Sequence, residues 1–393
     1  MFFVALKMLT GDRAKFLGII FGITFSAMLI TQQLSIFVGL MTRTYAFISD
    51  TTQPDLWVMD RKVQFADDIK PMQDTMLLRV RGVAGVEWAM PLYKGLIQAR
   101  MENGTFQTCN VIGIDDATLI GGPPEMVKGT LDALRLADSV VVDEVGARRL
   151  AKPMPGAPLD AEGNIPADWP RRPLEIGDTL ELNDRRAVVV GVCRISRTFQ
   201  SQPVLYTTYS RALQYAPQQR KLLSFIVAKA SPDQDIATLA KRIREQTGLA
   251  ALNPWEFSVR TYMYFIKNTG IPISFGITVI LGFVVGTAIA GQTFYNFTLD
   301  NLRQFGALKA MGTSNSRLLA MILLQALIVG LLGYGLGVGA ASTFAYLKSE
   351  LAFRLLWQTL VGTGVAITFI CILASLLSIQ KVIRLEPAIV FKG

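Results

Sequence analysis

The chain has 393 residues, a net charge of +9, no histidine and three cysteines, and its 39 Lys/Arg and 30 Asp/Glu residues are unevenly spread. Four stretches, 16–42, 268–299, 318–347 and 355–380, carry no charge at all; each exceeds the roughly 20 apolar residues that cross a hydrocarbon core, which excludes a purely soluble protein. The missing histidines remove His-based triads, the usual His-containing zinc sites and His proton relays, the absence of a Cys-x-x-Cys pair removes zinc-ribbon and thioredoxin-type centres, and no basic run is long enough for nucleic acid.

Residues 1–15 read as a cytoplasmic N-terminal segment. Lys7, Arg13 and Lys15 also fit the n-region of a signal peptide, but the apolar run continues through 36–41 with no Ala-x-Ala site after it. It reads instead as the first transmembrane helix, 16–41. Residues 42–267 then form one extracytoplasmic domain. Within it, 55–59 reads as a strand, 74–83 as a helix and 86–101 as a strand. Asn103-Gly104 supplies a type I′ hairpin signal, and 105–114 returns. A second β-α-β pattern closes the domain: a strand at 223–227, a helix at 232–247 capped by Ser231 with Pro232 at N1 and stopped by Gly248, and a strand or extended segment at 249–257. Between the two halves lies an insertion, about 116–215, with strands at 139–143 and 185–194. Its Pro-rich loop, 152–173, is long enough to be either functional or disordered.

The remaining elements are a second membrane helix at 268–299, a loop at 300–317, a third helix at 318–347, a turn at 348–354, a fourth helix at 355–380 and a tail at 381–393. Orientation follows the Lys/Arg bias. With the N-terminus inside, the cytoplasmic flanks hold Lys7, Arg13, Lys15, Arg303, Lys309, Arg317, Lys381, Arg384 and Lys392. The opposite flanks hold Arg43, Arg260, Lys267, Lys348 and Arg354, with Arg61 and Lys62 slightly further out. This puts both termini in the cytoplasm.

Chemistry-bearing motifs are few. No G-x-x-x-x-G-K-[ST] phosphate cradle occurs, so this chain binds no ATP through a P-loop; Gly121-Gly122-Pro123-Pro124 reads as a turn. Ser378-x-x-Lys381 lacks the other elements of a serine acyl-enzyme, and Lys381 reads as a snorkelling interface residue. Cys109 and Cys193 fall on predicted strands and read as two small buried hydrophobes, although their compartment permits a disulfide; Cys371 reads as packing. Neither a catalytic set nor a metal site is expected. Inside the membrane segments, Gly18-x-x-x-Gly22, Gly282-x-x-x-Gly286, Gly333-x-x-x-Gly337 and Gly335-x-x-x-Gly339 let helices approach closely, through bundle packing or at a dimer seam. The spans contain no ionisable residue, which speaks against an ion relay.

The loop after the second span carries the most information. Leu302, Phe305, Leu308 and Met311 recur every three residues, Arg303 and Lys309 project elsewhere, and Gly312 stops a short amphipathic helix. Two readings stand: an interfacial helix lying on the bilayer, or a docking helix whose Phe305 and Leu308 enter a groove on a cytoplasmic partner, with Arg303 and Lys309 as rim charges.

"LRQFGALKAMGTSNSRLL" resembles the segment between the second and third membrane helices of the FtsX/MacB/LolC superfamily of ABC-transporter permeases. "VIRLEPAIVFKG" is similar to that family's C-terminal tail, and "VVVDEVGARRLAK" with "IGDTLELNDRRAVVVGV" to its inserted periplasmic segment. "SRTFQSQPVLYTTYSRA" and "IAGQTFYNFTLDNLRQFGALKAMG" resemble DevC-like permeases in particular. The resemblance implies an α+β fold: four transmembrane helices with a large periplasmic α/β domain, two β-α-β halves plus a β-rich insertion, between helices one and two. It implies a non-enzymatic permease subunit of a bacterial inner-membrane exporter of the mechanotransmission type, with ATP and Mg bound by a separate ATPase subunit. A second permease copy, a periplasmic adaptor protein, a TolC-like outer-membrane channel and membrane lipid are the implied partners. A LolC-like lipoprotein-releasing permease and an FtsX-like regulator of cell-wall hydrolases are the alternatives. Cargo is expected to be taken from the periplasm or outer leaflet, since the spans hold no ionisable residue while the outer domain has a long Pro-rich loop and two β-α-β halves that could hinge against each other.

Overall fold

Two helices open the chain in the computed structural model, which describes residues 2–102, 104–156, 166, 169–217, 222–347 and 352–383. α1 (Phe2–Gly11) has no counterpart among the predicted elements, and α2 (Arg13–Thr44) extends the first apolar stretch by three residues at each end. The chain divides into two units, 1–40 with 269–393 and 41–268, each taken by itself below.

The second unit begins with α3 (Ala46–Asp50), β1 (Leu56–Met59), α4 (Thr75–Arg81), β2 (Val86–Arg100), β3 (Phe106–Ile114) and β4 (Glu125–Lys128). After a 3-10 turn at Leu131–Arg135 come β5 (Ser139–Asp143), α5 (Glu144–Arg149), β6 (Lys152–Pro153), β7 (Arg171–Arg172), β8 (Thr179–Leu182) and β9 (Arg185–Arg194). β10 (Val204–Thr208), α6 (Tyr209–Tyr215), β11 (Phe225–Ala230), α7 (Ile236–Thr247), β12 (Ala250–Leu252) and α8 (Pro254–Asn268) complete it. Asn103 of the hairpin, much of the Pro-rich loop (157–165, 167 and 168) and residues 218–221 lie outside the described residues.

The main sheet runs β12-β1-β11-β2-β3-β10-β5-β9-β4, with β8 pairing both β2 and β9. The two β-α-β units do not sit side by side. β1 pairs antiparallel with both β11 and β12, and β11 pairs with β2, so the halves interleave into one split β-α-β sheet of the ferredoxin-like kind. Shared ladders tie the two halves into one sheet, which opposes the hinge that two separate halves could have made. β1 is buried on both faces: Leu56 and Val58 pack under α4 and α7, while Trp57 and Met59 join Phe47, Phe225 and Phe257 on the other side. Two covered faces explain why this strand reads as a continuous apolar run rather than an alternating one.

β2 ties the split sheet to the insertion. Its first half, through Leu92, pairs with β11, and from Tyr93 onward it pairs with β3. Lys94 sits just past this switch and is 3% exposed. Its ammonium lies 4.4 Å from the Phe47 ring centre, donates to the Ala66 carbonyl at 3.2 Å and pairs with Asp67. The Ser224 hydroxyl accepts from the Lys94 amide at 3.0 Å, fixing the backbone at the same point.

Two predicted segments need correction. The helix expected at 232–247 starts at Ile236, because Ser231–Gln234 closes a turn (Gln234 N to Ser231 O, 2.9 Å) and the Asp235 carboxylate takes the cap by accepting from Thr238 N at 2.9 Å. The extended segment expected through 257 gives way to α8 at Pro254. Asn253 Oδ1 accepts from Glu256 N at 2.8 Å and Glu256 Oε2 accepts from Asn253 N at 3.0 Å, a reciprocal capping box with proline at N1. Cys109 on β3 and Cys193 on β9 are free and buried in different clusters, with β10 and β5 between their strands. Burial pushes the Cys109 thiol up to about 12.

The first unit adds α9 (Ile271–Asp300), α10 (Leu302–Ala310), α11 (Asn315–Leu347) and α12 (Trp357–Ile383). α2, α9, α11 and α12 are each long and apolar enough to cross a membrane. Ile19, Ile23, Ala27 and Ile30 form one stripe of α2 and meet Ala290, Phe294 and Phe297 of α9, Ala326 and Val329 of α11, and Ile367 to Ala374 of α12. Of the turn at 348–354 only 352–354 is described, and of the tail only 381–383. Arg354 N donates to Ser35 O at 3.0 Å, holding that turn against α2.

Candidate functional site

One residue, Asn301, separates α9 from α10. Its side-chain amide donates to Phe297 O at 2.8 Å and its carbonyl accepts from Phe305 N at 3.1 Å, so the chain turns without leaving a helical path. α10 ends sharply. Gly312 has φ +86°, its amide donates to Lys309 O at 3.0 Å, and Thr313 N donates to Leu308 O at 3.1 Å. This pair of bonds is a Schellman stop, which favours glycine because the left-handed conformation crowds a Cβ. α11 begins three residues later, with the Ser314 carbonyl accepting from Leu318 N at 3.2 Å.

The four apolar residues of α10 and its cap, Leu302, Phe305, Leu308 and Met311, do not share a face. A step of three residues in a 3.6-residue helix falls about 60° short of a full turn, so nine residues carry the stripe halfway round. Phe305 is fully buried among Ala5 of α1, Leu318, Met321 and Ile322 of α11, and Ile379 of α12, with Leu308 partly buried beside it. Leu302 is half-buried, whereas Met311, at the opposite end of the drift, is 73% exposed. Phe305 is therefore a wedge inside the bundle and not a free knob. The exposed side of α10 is made by Arg303, Gln304, Ala307, Ala310 and Met311, while Lys309 is half-buried on the inner side.

Two further contacts brace this end. Gln325 is buried in α11 and its Nε2 donates to Ala5 O at 2.7 Å, anchoring α1 to the bundle. Lys15 pairs with Asp12 at 3.1 Å and also with Asp300, joining the start of α2 to the end of α9. Sequence reasoning missed α1 and its Ala5. The available signal was the apolar spacing of Ala5, Met8 and Leu9, which the nearby charges Lys7, Arg13 and Lys15 obscured.

The membrane glycines divide into packed and open sets. A methyl on Gly333 would come within 2.7 Å of Ile23, and one on Gly337 within 2.7 Å of Thr24 O, so both seat α11 against α2. A methyl on Gly22 would run into Ile289, one on Gly282 would lie 3.4 Å from Ile30, and one on Gly286 would come within 2.7 Å of Ser26 Cβ, so these glycines seat α9 on the same helix. A methyl on Gly18, Gly335 or Gly339 would meet nothing within 4 Å. Bundle packing accounts for Gly22, Gly282, Gly286, Gly333 and Gly337.

Four bilayer-length helices, a large α/β domain between the first and second, and a wedged short helix between the second and third define a multi-pass membrane protein of the permease class. Residues 16–246 match the MacB-like periplasmic core domain and residues 273–387 match the FtsX-like permease C-terminal domain. The chain belongs to this MacB/FtsX-type family of ABC transporter permeases and is a protein of the inner membrane. It is 27% identical over 337 residues to an uncharacterized ABC transporter permease of Mycobacterium tuberculosis, covering 82% of this chain and 80% of the relative. A similar permease of Mycobacterium bovis is 24% identical over 245 residues, covering 61% and 66%. Among solved structures, the periplasmic region of MacB from Actinobacillus actinomycetemcomitans matches with a TM-score of 0.35 and 18% identity, covering 56% of this chain and 96% of that one.

Proposed function

We propose that this chain is the permease subunit of an ATP-driven exporter of the mechanotransmission type, closest in flavour to DevC-like permeases. A separate ATPase subunit binds ATP and Mg and docks on the exposed side of α10, and each ATP cycle moves the periplasmic domain. A second permease copy, a periplasmic adaptor and a TolC-like outer-membrane channel complete the assembly. Cargo enters from the periplasm or outer leaflet. The observation that carries this reading is the seating of Phe305 between α1, α11 and α12 while Arg303, Ala307 and Met311 stay exposed on the same nine-residue helix and its cap. A force applied to that outer side is delivered to three helices at once through close-packed side chains, which transmit displacement because interiors compress little.

The docking contact and the wedge are separable. Ala307→Asp with Met311→Asp places charges on the exposed side only. Permease-stimulated ATP turnover and co-purification of the ATPase should fall about tenfold, as expected when an interface anchor worth about 1.4 kcal/mol is lost. The melting temperature of the permease should be unchanged. Normal turnover and pull-down by that double variant would sink the docking role of α10.

A further inference from the structure

The loop between β1 and α4 closes against α8 to form a cleft of about 570 Å3. Arg61, Lys62, Lys70 and Arg260 line it, and Phe65 stacked on Tyr264 at 4.3 Å between ring centres forms its wall. Asp68 is the one carboxylate in the lining, and it is already engaged: its Oδ1 pairs with Lys70 at 2.8 Å and its Oδ2 accepts from Gln64 N at 3.0 Å. Asp60, close by, accepts from Lys62 N at 2.8 Å. Among the described residues, Arg61, Lys62 and Arg260 have no carboxylate partner. The two guanidiniums are held in place by carbonyls instead, Arg61 on Arg244 O at 3.2 Å and Arg260 on Arg61 O at 3.1 Å.

We propose that this cleft binds a phosphate-bearing anion, either the headgroup of an anionic phospholipid or free phosphate. Four cations around a concave site with one committed carboxylate leave an uncompensated positive field, which clefts concentrate. Guanidinium forks and ammonium point charges approaching from different elements suit an anion with several acceptor oxygens better than a single planar carboxylate. The Tyr264 hydroxyl adds a donor, and the volume exceeds what one phosphate fills, leaving space for a headgroup. Chain connectivity places the site: the membrane span begins at Ile271, seven residues after Tyr264. Lipid headgroups are thus the nearest abundant source of phosphate.

The test uses the full-length chain in nanodiscs. K62E/K70E reverses two charges of the cleft and leaves both guanidinium anchors in place. K128E/K229E makes the same charge change at two exposed positions elsewhere on the domain. In discs of mixed phosphatidylcholine and phosphatidylglycerol, the phosphatidylglycerol retained on extraction is counted by native mass spectrometry. In phosphatidylcholine discs, inorganic phosphate is titrated by calorimetry. The expected result is an approximately tenfold loss of one of these anions by K62E/K70E and no loss by K128E/K229E. Loss of phosphatidylglycerol identifies a headgroup site; loss of inorganic phosphate identifies a free-anion site. If K62E/K70E proves unstable, the neutral K62Q/K70Q takes its place. Equal binding by wild type and the cleft variant, or equal losses by both pairs, overturns the proposal.

Discussion

At the scale of single residues, Lys94 offers the sharpest energetic contrast. Its ammonium is buried beside Phe47, whereas its partner Asp67 is 38% exposed. Removing one member of a buried pair leaves the other charge without compensation, while replacing the buried ion by an apolar side chain of similar volume is often close to neutral. Asp67→Ala should therefore destabilise the 41–268 unit by about 2–3 kcal/mol, discounted from the fully buried case because Asp67 reaches water. Lys94→Met should cost less than about 1 kcal/mol, since its methylene stem is already packed. Denaturant titration of the two variants checks the order, and a larger loss for Lys94→Met would mean that the ion pair itself stabilises the strand switch. Phe305 illustrates a different limit of reading from sequence. Its three-residue spacing from Leu302 and Leu308 is plain, yet which side of a short helix faces the bundle is decided by partners 300 residues away in α1 and about 75 away in α12. No local pattern carries that information.

At the scale of elements, boundaries were legible where a side chain or a special dihedral sets them locally. Gly248 and Gly312 both take the left-handed conformation and both end helices, and β1, β2, β3, β5 and β9 form where apolar alternation or runs place them. The start of α7 was misread because two local caps compete: Ser231-Pro232-Asp233 has the right chemistry, but Ser231 N is drawn to Gly85 O at 2.9 Å and a turn through Gln234 follows, so the helix waits for the Asp235 cap. α8 was misread although Asn253 and Glu256 spell a capping box, since Trp255, Phe257 and Val259 also alternate as a strand would. The stop at Gly312 makes a testable case. At φ +86°, valine costs about 1–2 kcal/mol relative to glycine, whereas asparagine tolerates the conformation. Gly312→Val should lower both the melting temperature and permease-stimulated ATP turnover, and Gly312→Asn should retain most of each. Equal behaviour of the two variants would show that the left-handed stop is not what positions α10.

At the scale of the whole molecule, composition alone separates the four spans from an outer domain of ordinary charge density, but it does not say which helix ends share a membrane face. Contacts within the membrane unit supply that. Lys15 with Asp300 brings the start of α2 to the end of α9, and Arg354 N with Ser35 O brings the last turn to the opposite end of α2. The interleaving of the two β-α-β halves was beyond reach of sequence for the same reason: β1 pairs with β11 and β12, which lie more than 160 residues further along the chain. The sign of the topology is an expectation from the Lys/Arg bias, nine against five to seven, since positive residues tend to be retained in the cytoplasm. Thr313, three residues past α10, is accordingly expected inside, and Thr105, beside the β2–β3 hairpin, outside. Cys109, Cys193 and Cys371 are all buried and free, so a background with serine or alanine at these positions leaves single engineered cysteines as the reporters. In intact spheroplasts an impermeant maleimide should label Thr105→Cys and spare Thr313→Cys, and permeabilisation should restore labelling of the second. Labelling of Thr313→Cys from outside would invert the topology and remove α10 from the compartment where ATP is hydrolysed, ending the coupling role along with it.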